Sequence, residues 1–172
     1  MTVIDDLPRD LYASPSPAAP GPPLGTVRIF FVRGQVLEPV LRLATGPEDP
    51  SRVAMTDLLT GPTPEEAQRG LSTAIPAGAQ LLGVELRGSV ATADLSKEFE
   101  LGAEQEVLVQ RLAQVVYTLT DLPRISRVRF LIDGEPVSVV AEDGELQNRP
   151  VGRNYYPSLA PGERQAANAG AR

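Results

Sequence analysis

The hydrophobic pattern of this chain changes period several times, and each change predicts an element. Thr26-Val27-Arg28-Ile29-Phe30-Phe31-Val32-Arg33 is a β-rich run that ends at Gly34 and predicts a first strand. Val36 to Leu43 predicts a second extended piece, which Pro39 confines to a sheet edge or a bulge because proline cannot donate to a ladder. Between Ser51 and Gly61-Pro62, the residues Val53, Met55, Leu58 and Leu59 form an apolar stripe of near-helical spacing and predict a short helix. Pro64 followed by Glu65 and Glu66 suits a brief helical turn, with proline in the first turn and acids at the positive end of the dipole.

The second half repeats the alternation of periods. Leu81, Leu82, Val84 and Leu86, then Val90, Ala91, Ala93 and Leu95, flank the turn residues Arg87-Gly88-Ser89 and predict a β-hairpin. Ala103 to Leu119 carries Val107, Leu108, Leu112, Val115, Val116 and Leu119 at three- and four-residue intervals, with Glu104 and Glu106 in the first turn. That long helix has an apolar face that must cover a sheet. From Ile125 to Ile132, Val128, Phe130 and Ile132 alternate with Arg127, Arg129 and Leu131, the pattern of a strand buried on one side and wet on the other. Asp133-Gly134 supplies a turn, and Val137 to Val140 pairs beyond it.

The order strand, helix, hairpin, long helix, closing strand predicts an α+β single domain, a mixed β-sheet with helices packed on one face. Residues 1–25 are read as a disordered spacer, since Pro15, Pro17, Pro20, Pro22 and Pro23 fix φ while little apolar surface is available to offset ordering. The domain proper is placed at 26–140. Residues 141–172 are a carboxyl-terminal extension, with disorder expected from roughly Pro161 onward.

Composition narrows the chemistry more than the fold. Of 172 residues 42% are apolar, ordinary for one buried core, yet tryptophan is absent and aromatics are only 5%, so aliphatic side chains must fill that core. A formal net charge of −6 repels nucleic acid and anionic lipid, and no nucleic-acid partner is expected. The lack of both Cys and His removes thiol nucleophiles, Ser-His-Asp triads, imidazole bases, disulfides and zinc sites built on sulfur or nitrogen. No cofactor or metal is expected. No apolar run approaches the roughly 20 residues that span a bilayer, and the start Met1-Thr2-Val3-Ile4-Asp5-Asp6 lacks the basic and apolar regions of a signal peptide.

Three groups of residues carry candidate chemistry. Asp94, Glu98, Asp121 and Asp133 are acids near element ends, and two of them facing across a cleft could hydrolyse a glycoside; a strand exit at Asp94 and turn chemistry at Asp133-Gly134 account for them better. Arg124, Arg127 and Arg129 gather at the start of the last strand, where they could receive an acidic partner surface or an anionic glycopolymer, or could simply guard a strand edge. Tyr155 and Tyr156 stand in a polar stretch, amphipathic enough for an interface and equally suited to folding back over the sheet. Partner binding is therefore assigned to Arg124, Arg127, Arg129, Tyr155 and Tyr156, and no residue is assigned to catalysis.

Five segments in order resemble the GerMN domain family, named from a spore germination and sporulation protein and found also in actinobacterial lipoproteins of the LpqB type. They are LLTGP at 58–62, AIPAGAQL at 74–81, VATADLSKEF at 90–99, TLTDLPRISRVRF at 118–130 and LIDGEPV at 131–137. The resemblance covers approximately Thr26 to Val137. It implies a fold similar to ring-building motifs, no catalytic residues, and assembly of envelope complexes in sporulation, germination or envelope biogenesis. Envelope or membrane proteins are then the expected partners, a homo-oligomer is compatible, and an exposed strand edge is the expected mode of contact. The expected location is extracytoplasmic, on a lipid-anchored protein whose signal peptide and lipidated cysteine lie outside this chain, the only link to a membrane. The competing readings are a carboxylate-dependent hydrolase of cell-wall glycan and a glycan- or small-ligand-binding module.

Overall fold

The computed structural model describes residues 25–161. The proline-rich spacer and the end beyond Pro161 lie outside the described residues. Strands β1 (Thr26–Arg33) and β2 (Val36–Leu43) form an antiparallel hairpin turned at Gly34, whose φ of 62° a side chain would disfavour. Helix α1 (Pro50–Thr60) starts where the Asp49 carboxylate accepts the Ser51 N–H at 2.8 Å, and it stops at Gly61. Helix α2 (Pro64–Gln68) is a single capped turn: Thr63 and Glu66 accept each other's backbone N–H groups.

A mixed sheet follows. Strands β3 (Leu81–Arg87) and β4 (Val90–Leu95) make the expected hairpin, and α3 (Gln105–Thr120) crosses over to bring β5 (Arg127–Ile132) parallel to β4. The short β6 (Glu135–Pro136) adds to β5 through the Asp133-Gly134 turn, and β7 (Val139–Val140) with β8 (Leu146–Gln147) forms a separate small ladder. The order across the main sheet is β3-β4-β5-β6. Ala91, Ala93 and Leu95 from β4 and Val128, Phe130 and Ile132 from β5 are buried, so one face of this sheet is the core face.

The first hairpin does not join that sheet. On β1 the residues Val27, Ile29 and Phe31 on one side and Phe30 and Val32 on the other are all buried, because β1 packs against both α1 and α3. Its side away from β2 is occupied by side chains. The Phe30 N–H donates to Thr118 Oγ1 at 3.1 Å, and the Phe30 carbonyl accepts from Gln114 Nε2 at 3.0 Å. Val32 and Ser72 exchange backbone bonds of 2.7 and 2.8 Å just beyond. Two polar residues one helical turn apart thus do for β1 what a neighbouring strand would do.

The extension past Val140 is folded onto the domain. Val151 bridges Val128 through bonds of 2.8 and 2.9 Å, and Val151, Tyr156 and Leu159 are buried in the common core. Arg153 lies over the Tyr117 ring, 4.6 Å from its centroid, and donates to Thr120 Oγ1 and the Tyr117 carbonyl. Gly152 lets the chain pass here: a Cβ would fall 2.9 Å from the Ser126 carbonyl oxygen, which as backbone cannot turn aside. Gly152→Ala is therefore expected to cost about 1–2 kcal/mol, read as a lowered urea midpoint. An unchanged midpoint would show that the Val151–Val128 contact gives way freely.

Candidate functional site

The alternation along β5 sends Val128, Phe130 and Ile132 into the core and leaves Arg127 and Arg129 exposed on the opposite face. The register sets Val90 beside Arg127 and Thr92 beside Arg129, with Asp94 beside Leu131. On the far side of β4, Arg87 faces Val90 and Glu85 faces Thr92. Among the described residues no helix covers this face, where Arg127 and Arg129 are exposed. It is polarised: Arg87 and Arg127 share the row at the start of β5, while Asp94, beside Leu131, lies at its other end.

Arg87 is engaged, since its Nε donates to Glu85 at 3.2 Å. Arg127 and Arg129 have no carboxylate partner among the described residues, in contrast to Arg28, Arg33, Arg42 and Arg153. Neither protects a sheet edge. β5 has β4 on one side, and on the other β6 and Val151 close it. The edge-guarding role weighed for these arginines from the sequence is thus excluded by topology.

The five residues assigned to partner binding do not form one site. Arg124 sits in the loop before β5 with φ of 74° and lines a groove of about 360 Å³ with Asp49, Pro50, Leu86 and Ile125. Tyr155 is half-buried against the core. Tyr156 is corrected outright: it is fully buried, its hydroxyl donates to the Val140 carbonyl at 3.0 Å, and burial pushes its ionisation well above the usual phenol range. No partner can reach it. The pair closes the core, the second of the two roles read from the sequence.

The acids have structural occupations. Asp121 accepts from Arg28 Nε at 3.0 Å and lies 3.4 Å from an Arg153 nitrogen, joining β1 and the extension to the end of α3. Asp94 accepts the Gly134 N–H at 2.9 Å, and Asp133 occupies the left-handed region of that same turn with φ of 48°. The Ser96 hydroxyl holds the Glu98 carboxyl below the usual range. A groove of about 450 Å³ is lined instead by Gln35, Gln105, Gln110 and Glu106 over Val109 and Leu159. Its other acid, Glu142, accepts both the N–H and the hydroxyl of Ser158.

The open strand edges differ from the expected recruiting edge. β3 has no buried residue and leaves Leu82 and Leu86 about half exposed, but a register shift at Leu81/Gly83 and the Glu85–Arg87 pair break its regularity. β2 carries Pro39. These are the devices by which edges resist strand addition. The sequence reading also missed Arg111, Gln114 and Thr118, all buried in α3. Their three- and four-residue spacing inside an apolar helix was the available signal. Arg111 donates to the carbonyls of Ala74, Phe99 and Leu101 with no carboxylate partner among the described residues, and burial lowers its pKa.

Comparison with known proteins bears on this arrangement. The sequence profile of a family described as "Germane: Sporulation and spore germination" matches residues 28–138, more than half of the chain. Tandem GerMN domains of the sporulation protein GerM from Bacillus subtilis align with a TM-score of 0.57 and 20% identity, over 85% of this chain and 50% of that one. The chain thus spans about half the length of that relative. A chain designated a lipoprotein from Clostridium perfringens aligns with a TM-score of 0.56 and 21% identity, over 82% of this chain and 96% of its own. The first GerMN domain of the same GerM gives 0.55 and 18%, over 74% and 93%. At such identities the likeness speaks for the fold. Among curated proteins no match to the sequence is found.

Proposed function

The chain belongs to the Germane family of sporulation and spore germination domains, and on that premise we propose that it is a non-catalytic protein-contact domain serving assembly of the bacterial cell envelope. The observation that carries this reading is the uncovered, polarised face of the four-stranded sheet, with two arginines that have no carboxylate partner among the described residues. The acids that could have supported glycan hydrolysis are held by Arg28, Arg153, Ser96 and the Asp133-Gly134 turn. The edges of β2 and β3 carry features that discourage strand pairing, which favours contact through the face. An extracytoplasmic, lipid-anchored setting accords with the alignment to a chain designated a lipoprotein. Among the described residues no helix is long and apolar enough to cross a membrane, so attachment would rest on an anchor.

A photo-crosslinking side chain placed at Thr92, in the protein expressed in its native cells, tests this. A discrete protein adduct is expected from Thr92 and none from the exposed control position Leu146, on β8. Equal labelling from both positions, or cleavage of a wall fragment by the purified chain, would overturn the proposal.

A further inference from the structure

We infer that the uncovered sheet face receives an acidic protein element presenting two carboxylates spaced for Arg127 and Arg129. The inference rests on the protein-contact reading and specifies the partner's chemistry. Residues two apart on one strand face stand about 6.6 Å from each other, so Arg127 and Arg129 offer two planar donor forks at that separation. A strand bearing acids at alternate positions has the same repeat, and each guanidinium can hold one carboxylate through paired N–H bonds.

Each competing use of these arginines fails on a separate observation. They do not guard an edge, because β5 is flanked on both sides. They are not spent on internal ion pairs among the described residues, whereas the neighbouring Arg87 is paired with Glu85. Their solvent-side neighbours Val90 and Thr92 are only half-buried, which leaves contact surface between and beside the forks. An isolated guanidinium over exposed, partly apolar surface is the kind of group interfaces use as an anchor.

Carboxylate on a protein is favoured over a continuous polyanion by the polarity of the face. A long uniform polymer lying along β4 and β5 would pass from Arg127 and Arg129 onto Asp94, where like charge opposes it. A folded partner can place a local acidic pair over the arginines and a neutral or basic group over Asp94. The chain's net charge of −6 works in the same direction, since it repels an extended polyanion while leaving a short-range contact intact.

The test uses the full chain and a short labelled strand peptide with glutamate at alternate positions and threonine or valine between, followed by fluorescence anisotropy. Binding should weaken with added salt. The double variant Arg127→Glu, Arg129→Glu should bind it about tenfold or more weakly, and should bind the lysine version of the same peptide better than the parent protein does. Both side chains are exposed, so the variant's thermal midpoint should match the parent's. Equal affinity of parent and variant for the glutamate peptide would overturn the inference, as would tighter binding of long-chain polyphosphate than of the peptide. If the adduct formed from Thr92 persists in the double variant, the acidic-partner inference falls while the protein-contact reading stands.

Discussion

Gln114→Leu is expected to cost about 3 kcal/mol, although leucine is as bulky and more apolar. The carboxamide is fully buried and ties both β1 and the Thr73-Ala74 loop to α3. Its Nε2 donates to the Phe30 carbonyl at 3.0 Å and to the Thr73 hydroxyl at 3.1 Å, and its Oε1 accepts the Ala74 N–H at 2.8 Å. Leucine would leave a strand carbonyl and a loop N–H without partners inside the protein, and each such group costs about 1–3 kcal/mol. The apolar gain of the new side chain offsets part of this. Urea unfolding should show a lower midpoint with an unchanged slope. A loss under about 1 kcal/mol would mean that water enters to satisfy both groups, and that α3 does not seal the β1 edge in the way described. Thr118→Val should cost less, about 1 kcal/mol, because only the Phe30 N–H loses its acceptor.

The same helix shows where the sequence was legible and where it was not. Its apolar stripe is explicit in Leu108, Leu112, Val115, Val116 and Leu119, and the helix forms over those residues. Arg111, Gln114 and Thr118 are polar types that ordinarily face water, so only the tertiary environment, the bare side of β1 and the carbonyls of the 74–101 region, makes them interior residues. The two extended runs on either side of Gly34 were readable, yet their pairing with each other and their separation from the main sheet were not, because side-chain partners at a strand edge leave no periodic trace. For the candidate site, alternation alone sent Arg127 and Arg129 outward. That β5 lies inside the sheet depends on its parallel pairing with β4 and on Val151 arriving from the extension, both long-range facts. Tyr155 and Tyr156 are adjacent and of one type, and a single residue of offset separates a half-buried ring from a fully buried one.

Acid should weaken this fold through one carboxylate in particular. Glu66 accepts two bonds from Arg42, at 2.8 and 2.7 Å, and the Thr63 N–H at 3.0 Å, so a single side chain caps α2 and ties it to β2. The Arg42 guanidinium, helped by that N–H, pulls the Glu66 carboxyl from 4.5 down to about 2, against the opposing effect of burial. The same bond raises the pKa of Arg42. Because the folded state holds this proton less tightly than the unfolded chain, the stabilisation is complete above pH 4.5 and is lost as the pH falls toward 2. A shift of that size corresponds to at most about 3 kcal/mol, less whatever solvent screening removes at the partly open Arg42. Asp57 acts oppositely: burial raises its pKa, so protonating it relieves a small cost as acid is added. Glu66→Gln should therefore lower stability by about 2 kcal/mol at neutral pH and flatten the decline between pH 4.5 and 2, so that variant and parent converge at the acid end. Parallel pH profiles for the two proteins would show that the Arg42–Glu66 pair does not set the acid limit. Convergence would identify the Arg42–Glu66 pair as a main source of the domain's loss of stability in acid.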